Sequence, residues 1–267
     1  MTFFSPYTIL SRLARDGFFA RKTAAALLFA LCLPALAFAQ LHPQSPAPLA
    51  AKAPLVFAVS VDQGPSAIMA QRILLEAYRQ LGIRIRFEAL PNPRIVALAA
   101  AGGLDGVDFR IADTPLGDMQ KIGIPIAYEE LVVFSLNPHI KINGYRSLQG
   151  YLTGYLSGAR IVEDQLKGMP ADTAPNLESL FNKLQAGRTD IVIDSRSSYC
   201  KAKMMGLDKV VMLEPPLEKL LGYHWLSVRH QALIPRLDAV LKKMKRDDTM
   251  KKLQDDAWRD FNAQCRV

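Results

Sequence analysis

The spacing of apolar and polar positions changes period several times along the chain, and each change marks an element. Residues 55–60 form a short apolar, β-branched run suited to a buried strand. The turn Asp62-Gln63-Gly64-Pro65-Ser66 follows, and residues 67–81 carry Ile68, Ile73, Leu74 and Tyr78 at helical spacing until Gly82 ends the pattern. Residues 83–89 alternate as a second strand. Residues 91–101 predict a helix with a proline-rich entry, and Gly102-Gly103 lead to a strand near 106–111. This β-α-β-α-β order predicts an α/β fold with a mainly parallel sheet and helices on both faces.

A comparable series fills the second half. Strands are predicted at 131–135 and 153–156, helices at 159–166 and 176–186, and a strand at 190–193 with a helix after it. A strand at 210–213 is interrupted by Pro215-Pro216, and a strand at 223–228 and helices at 235–246 and 249–261 close the chain. The architecture repeats while the sequence does not. Two α/β units joined by extended crossings leave a cleft between them, where small ligands are commonly held.

The N-terminal residues have another pattern. Arg12, Arg15, Arg21 and Lys22 precede an apolar run over 23–33, and Ala37-Phe38-Ala39 is a small-residue cleavage pattern. This order predicts a secretory signal over residues 1–39, cut before Gln40, a Pro- and Ala-rich flexible lead-in over 40–52, and a periplasmic location. The apolar run is short for a bilayer span, so an uncleaved anchor is the weaker alternative. The formal net charge is +8, of which the leader holds about +3. The remaining excess is spread out, which suits an anionic or zwitterionic ligand and equally a solvated surface. There is no basic stripe interleaved with aromatics and no zinc-type spacing, which argues against nucleic acid as a partner.

Beyond the leader the cysteines are Cys200 and Cys265. In an oxidising compartment this pair predicts a disulfide closing a loop of about 65 residues, worth roughly 4 kcal/mol on a chain-entropy model. Two buried thiols are the alternative. His42, His139, His224 and His230 show no metal-ligand spacing, and no G-x-S-x-G elbow occurs. No catalytic residue, metal or cofactor is therefore predicted, and the expectation is a protein that is not an enzyme.

Several polar residues fall where a ligand would lie. Asp62 and Ser66 sit in the first strand-to-helix turn. Gly158 ends a strand just before a helix, so free N–H groups at Ala159 and Arg160 would hold an anion, flanked by Ser157. Arg110 follows the 106–111 strand, and its guanidinium there suits a carboxylate; an ion pair with Asp113 is the alternative. Arg94 opens a helix, facing either the cleft or solvent. Asp194 lies at the carboxyl end of the 190–193 strand, where open α/β sheets present ligand groups, or else caps the helix after it.

Three stretches combine in a specific order: Leu90-Pro91-Asn92-Pro93-Arg94 with Gly103-Leu104-Asp105-Gly106 and Asp108-Phe109-Arg110-Ile111; Asn143-Gly144-Tyr145-Arg146-Ser147-Leu148-Gln149-Gly150; and Leu180-Phe181-Asn182-Lys183-Leu184-Gln185-Ala186-Gly187-Arg188-Thr189-Asp190-Ile191-Val192-Ile193-Asp194. In these the chain resembles the family 3 extracellular solute-binding proteins, which serve ABC importers and related sensors, over about residues 55–260. The resemblance implies a two-lobed type II periplasmic-binding fold, with lobe 1 over 53–134 plus 222–267 and lobe 2 over 135–221. It further implies a monomer that captures a small polar solute, amino-acid-like or an organic anion, and delivers it to an inner-membrane ABC permease or reports it to a sensor. Asp194 would hold a ligand ammonium and Tyr128 would be an aromatic lid. The arginine that the family uses for an α-carboxylate falls at Gly117 here, so Arg110 takes over that task or the ligand is no standard α-amino acid. A dehydratase-like enzyme on the same fold, with Asp194 and Glu129 recruited, is the alternative from another class.

Overall fold

The structure, a computed structural model, describes residues 53–61, 63–111 and 116–265. The expected leader and lead-in over 1–52, together with Asp62 and Asp113, lie outside the described residues. The first half builds β1 (Leu55–Ser60), α1 (Pro65–Gln80), β2 (Ile85–Leu90), α2 (Asn92–Ala100) and β3 (Gly106–Arg110). Pro65 suits the first position of α1, where an N–H would have no helical partner. Ala67, Ala70, Ile73, Leu74, Ala77 and Tyr78 then recur three or four residues apart and are all buried. The helix stops at Gly82, whose φ of +70° few other residues adopt; its N–H bonds the Arg79 carbonyl while that of Ile83 bonds Tyr78.

The chain leaves along β4 (Met119–Ser135) and builds β5 (Thr153–Leu156), α3 (Arg160–Gln165), β6 (Ala171–Ala174), α4 (Leu177–Gln185), β7 (Ile191–Ser195) and α5 (Ser198–Met204). It returns along β8 (Val211–Ser227) and ends in α6 (Ile234–Arg246) and α7 (Thr249–Gln264). Among the described residues the strands form one sheet in the order β2-β1-β3-β8-β4-β7-β5-β6. The wings are parallel, β1 with β2 and β3, and β5 with β6 and β7. Between them β4 and β8, 17 residues each, run antiparallel to one another and to their other neighbours.

Each wing is covered on both faces. Phe57 points to a core with α1, α6 and α7, while Ala58 points to one with α2, Val107 and Trp225. In the other wing Leu131 and Val133 join Ile191, Ile193 and Val162, whereas Val132 and Phe134 pack with Val192, Phe181 and Ala202. That alternation is the two-residue period of a strand buried on both sides. β4 changes from the first pair of cores to the second between Ala127 and Leu131, and β8 changes back between Leu220 and Leu226. Cys200 and Cys265 are bonded as expected, with their Cα atoms 5.2 Å apart.

Three elements differ from the pattern-based expectation. The strands expected at 210–213 and 223–228 are one strand, β8. Its pairing with β4 jumps from Leu213 opposite Val133 to Glu218 opposite Leu131, so Pro215 and Pro216 sit in the extra residues and no ladder bond is lost to their missing N–H. β4 begins at Met119 rather than 131, because shifts of register between Lys121 and Ala127 break the alternation that would reveal a strand. β6 was not expected: it is a sheet edge with the sequence Ala-Asp-Thr-Ala, which has no apolar period to read.

Candidate functional site

Strand order in the first wing runs β2-β1-β3, so the chain leaves β1 in one direction for β2 and returns to its other side for β3. The carboxyl ends of β1 and β3 therefore splay apart at a topological switch point, the usual place for a ligand in an open α/β sheet. A pocket of about 350 Å³ lies there, lined by Ser60, Ala67, Asn92, Ile95 and the run from Asp108 to Ile111. The β3–β8 pairing shifts register between Val107 and Arg110, a bulge that re-aims the side chains at the rim. Gly106, just below, must lack a side chain, since a Cβ would stand 2.6 Å from the Trp225 carbonyl oxygen.

Two groups in the pocket are short of partners. Asp108 is only 2% exposed, and its Oδ2 has no hydrogen-bond partner among the described residues. Burial pushes its pKa up to about 7, against the opposing pull of the Phe109 N–H, the Arg110 charge and the Gln71 side chain. Arg110 is half-buried, with Nη1 3.5 Å from Asn92 Oδ1. Its Nε and Nη2 are buried without a partner among the described residues. Those two nitrogens form the edge of a guanidinium that grips a carboxylate with two parallel bonds. Burial holds the Arg110 pKa below its ordinary value, with Asp108 countering.

The floor beneath is fixed. His224 is fully buried, with Nδ1 2.7 Å from the Val107 carbonyl and Nε2 3.1 Å from the Tyr78 hydroxyl. Since a carbonyl can only accept, Nδ1 carries the proton and Tyr78 donates to Nε2. Burial brings the His224 pKa down to about 4, so the ring is neutral and structural at neutral pH.

The other expected residues are distributed around this pocket. Ser66 is buried at the start of α1 and donates to the Tyr128 carbonyl at 2.7 Å, so its hydroxyl ties α1 to β4. Arg94 is exposed in the first turn of α2. Tyr128 does not line the Arg110 pocket; its ring lies under the Lys219 ammonium, 3.6 Å from the centroid, and lines a different groove between α5 and α7. Ser157 and Gly158, between β5 and α3, and Arg160, the first residue of α3, are exposed. The expected free N–H groups there are already used, Ala159 bonding Leu156 and Arg160 bonding Gly158. Asp194 is the penultimate residue of β7, with Oδ1 accepting from the Ser195 N–H and Oδ2 buried and unpaired among the described residues. Burial, with some repulsion from Glu129, pushes its pKa up to about 6.

At Gly117 a side chain has no room. Its φ is +52°, and a Cβ would meet the Ala99 carbonyl oxygen at 2.6 Å. An arginine cannot occupy that position without moving α2, which leaves Arg110 as the guanidinium of the pocket. Asp108 lines the pocket and was not among the residues expected there, although a lone acid inside the buried run Gly-Val-Asp-Phe-Arg was a readable signal. Asn92 gave no such signal. Among the described residues no group of three His, Cys, Asp or Glu side chains is placed to hold a metal ion. None of the helices there is long and apolar enough to cross a membrane.

No family model matches the chain. An uncharacterized protein of Shewanella oneidensis is 30% identical over 202 residues, covering 72% of this chain and 76% of that one. Among solved structures, the GluR0 ligand-binding core in complex with L-glutamate superposes with a TM-score of 0.59 at 10% identity, over 76% of this chain and 97% of its own. A probable amino-acid ABC transporter extracellular-binding protein from Bacillus subtilis gives 0.59 at 16% identity, over 75% and 97%. A Streptococcus pneumoniae amino acid ABC transporter substrate-binding protein bound to L-arginine gives 0.55 at 16%, over 80% and 96%. At these identities the likeness establishes the fold, the two-lobed type II arrangement that the sequence motifs implied.

Proposed function

We propose that this chain, which belongs to the same family as the uncharacterized Shewanella oneidensis protein, is an exported solute-binding protein that captures a small carboxylate between two lobes and releases it unchanged. The observation that carries this reading is the pocket at the β1–β3 switch point, where an unpaired guanidinium edge lies with a buried carboxyl whose Oδ2 is unpaired among the described residues. With neither group fully satisfied the empty pocket carries a desolvation penalty of a few kcal/mol, which a complementary ligand removes. Arg110 takes the ligand carboxylate on Nε and Nη2, and Asp108 accepts a hydrogen bond from an ammonium, amide or hydroxyl beside it. The ligand is thus a small amino-acid-like molecule or hydroxy acid. The structures it resembles are named for amino-acid binding or amino-acid transport, which supports the same class.

In this reading lobe 1 carries β1 to β3 with α6 and α7, and lobe 2 carries β5 to β7. The division falls near 128–131 of β4 and 217–222 of β8, slightly before the boundary read from sequence in β4. Ligand on lobe 1 favours closure because only the closed form adds contacts from lobe 2. Asp194 and the exposed Ser157, Gly158 and Arg160 are the groups lobe 2 would bring, with Arg94 on the lobe 1 side. The closed protein then docks on an inner-membrane ABC permease or a sensor. The leader over 1–39 and a periplasmic location belong to the same proposal.

A thermal-shift screen with amino acids, hydroxy acids, dicarboxylates and polyamines tests it. A carboxylate at about a hundred times its dissociation constant stabilises the native state by nearly 3 kcal/mol. The account expects a carboxylate hit, recovered chemically unchanged after long incubation. Stabilisation by polyamines alone, or consumption of the hit, contradicts it.

A further inference from the structure

Beyond β4 and β8, the disulfide is a third covalent connection between the two wings. α7 belongs to the first wing: Met250 and Ala257 are in the core with α1, Arg72 of α1 pairs with Asp260 at 2.7 Å, and Gln254 donates to the Ile126 carbonyl. α5 belongs to the second: Ala202 is fully buried against Val132, Phe134 and Phe181, with Tyr199 stacked on Phe134. Cys200 is on α5, and Cys265 caps the C-terminus of α7. The helices face one another across a groove of about 570 Å³, walled by Tyr128, Glu130 and Met212 of the crossing strands. At its strand side Arg196, which follows β7, bonds Glu130 of β4 and Glu214 of β8. The ligand pocket at Arg110 shares no lining residue with this groove.

We infer that the Cys200–Cys265 disulfide is an inter-lobe tether beside the crossing strands, and that it restricts the range of lobe orientations open to the unliganded protein. Two adjacent antiparallel strands resist stretching but allow the lobes to bend and twist about them. A third link, offset from those strands, removes part of that freedom. A disulfide tolerates Cα separations only up to about 6.8 Å. From 5.2 Å here, α5 and α7 can part at that point by only a small further step before the end of α7 must unwind. Rotations that pivot at the bond stay available, and those that widen the groove do not. The inference needs the two-lobed fold and an oxidised pair, not the ligand assigned above.

The experiment uses the unliganded full chain, its bond verified by mass under non-reducing conditions. Noncanonical amino-acid spin labels replace Val96 on α2 and Ile161 on α3, both exposed residues on opposite wings. Pulsed electron resonance compares the oxidised protein, the same protein after mild reduction and alkylation, and the Cys200→Ser/Cys265→Ser double variant. The tether predicts a narrow distance distribution when oxidised, and a broader one in both bond-free forms. Circular dichroism shows whether each form is folded; if the double variant fails to fold, the reduced wild-type protein decides. Identical distributions in folded oxidised and bond-free protein overturn the inference, as does a native protein carrying free thiols. Neither result bears on Arg110, so a failure here leaves the ligand proposal standing.

Discussion

Replacing Asp108 with asparagine is expected to strengthen the unliganded fold while weakening ligand capture. In the folded protein burial holds the Asp108 carboxyl near 7, against an ordinary 3.8. Because the folded pKa is the higher, this carboxyl is tolerated best below about 4, and stability is lost as pH rises toward 7. A gap of roughly three units corresponds to about 4 kcal/mol at pH 8 and about 2 kcal/mol at pH 5. Asparagine keeps the shape and carries no charge, so the penalty disappears. The advantage of Asp108→Asn over wild type is therefore expected to grow by about 2–3 kcal/mol between pH 5 and pH 8. Urea denaturation of both proteins at the two pH values measures this directly, and other titrating groups cancel in the comparison. The reasoning is refuted by a difference that does not change with pH, or by an asparagine variant that is the less stable at pH 8. A binding site that stores instability in its empty state is a common trade of stability for function.

Two further substitutions probe what supports the site and the hinge. Gly106→Ala places a methyl 2.6 Å from the Trp225 carbonyl and 3.0 Å from the Phe57 ring, so it should destabilise the fold by about 2–3 kcal/mol, read as a lower urea midpoint. Arg196→Met leaves Glu130, whose side chain is 19% exposed, with only Lys219 at 4.0 Å, and should lower stability by about 2–3 kcal/mol in thermal denaturation. A change below about 0.5 kcal/mol would mean that the cluster is an ordinary surface ion pair.

The wings of the fold were legible in the sequence because their elements keep one period each. α1 repeats its buried positions faithfully, and the strand read at 153–156 is β5 as built. The crossings were not legible. β4 passes Gly123, Pro125 and several shifts of register before it reaches a regular run at Leu131, and the Pro215-Pro216 pair disguises the continuity of β8. Part of the pocket could be read from one feature, the arginine at the carboxyl end of a buried strand. Which side of β4 Tyr128 would face depended on those same shifts, and Ser66 found a backbone carbonyl from a segment 62 residues away. Asp108 stood in plain view as a charge within an apolar strand. Its meaning depended on the absence of a partner, which only the assembled structure shows.

The central claim is that Arg110 grips the carboxylate of a captured solute. Isothermal titration of the best carboxylate from the screen into wild type and Arg110→Ala tests it most directly. Losing a charge-assisted bidentate contact, worth about 3 kcal/mol, predicts a loss of affinity of roughly a hundredfold. An Arg110→Ala protein that binds the same ligand as tightly as wild type contradicts the account.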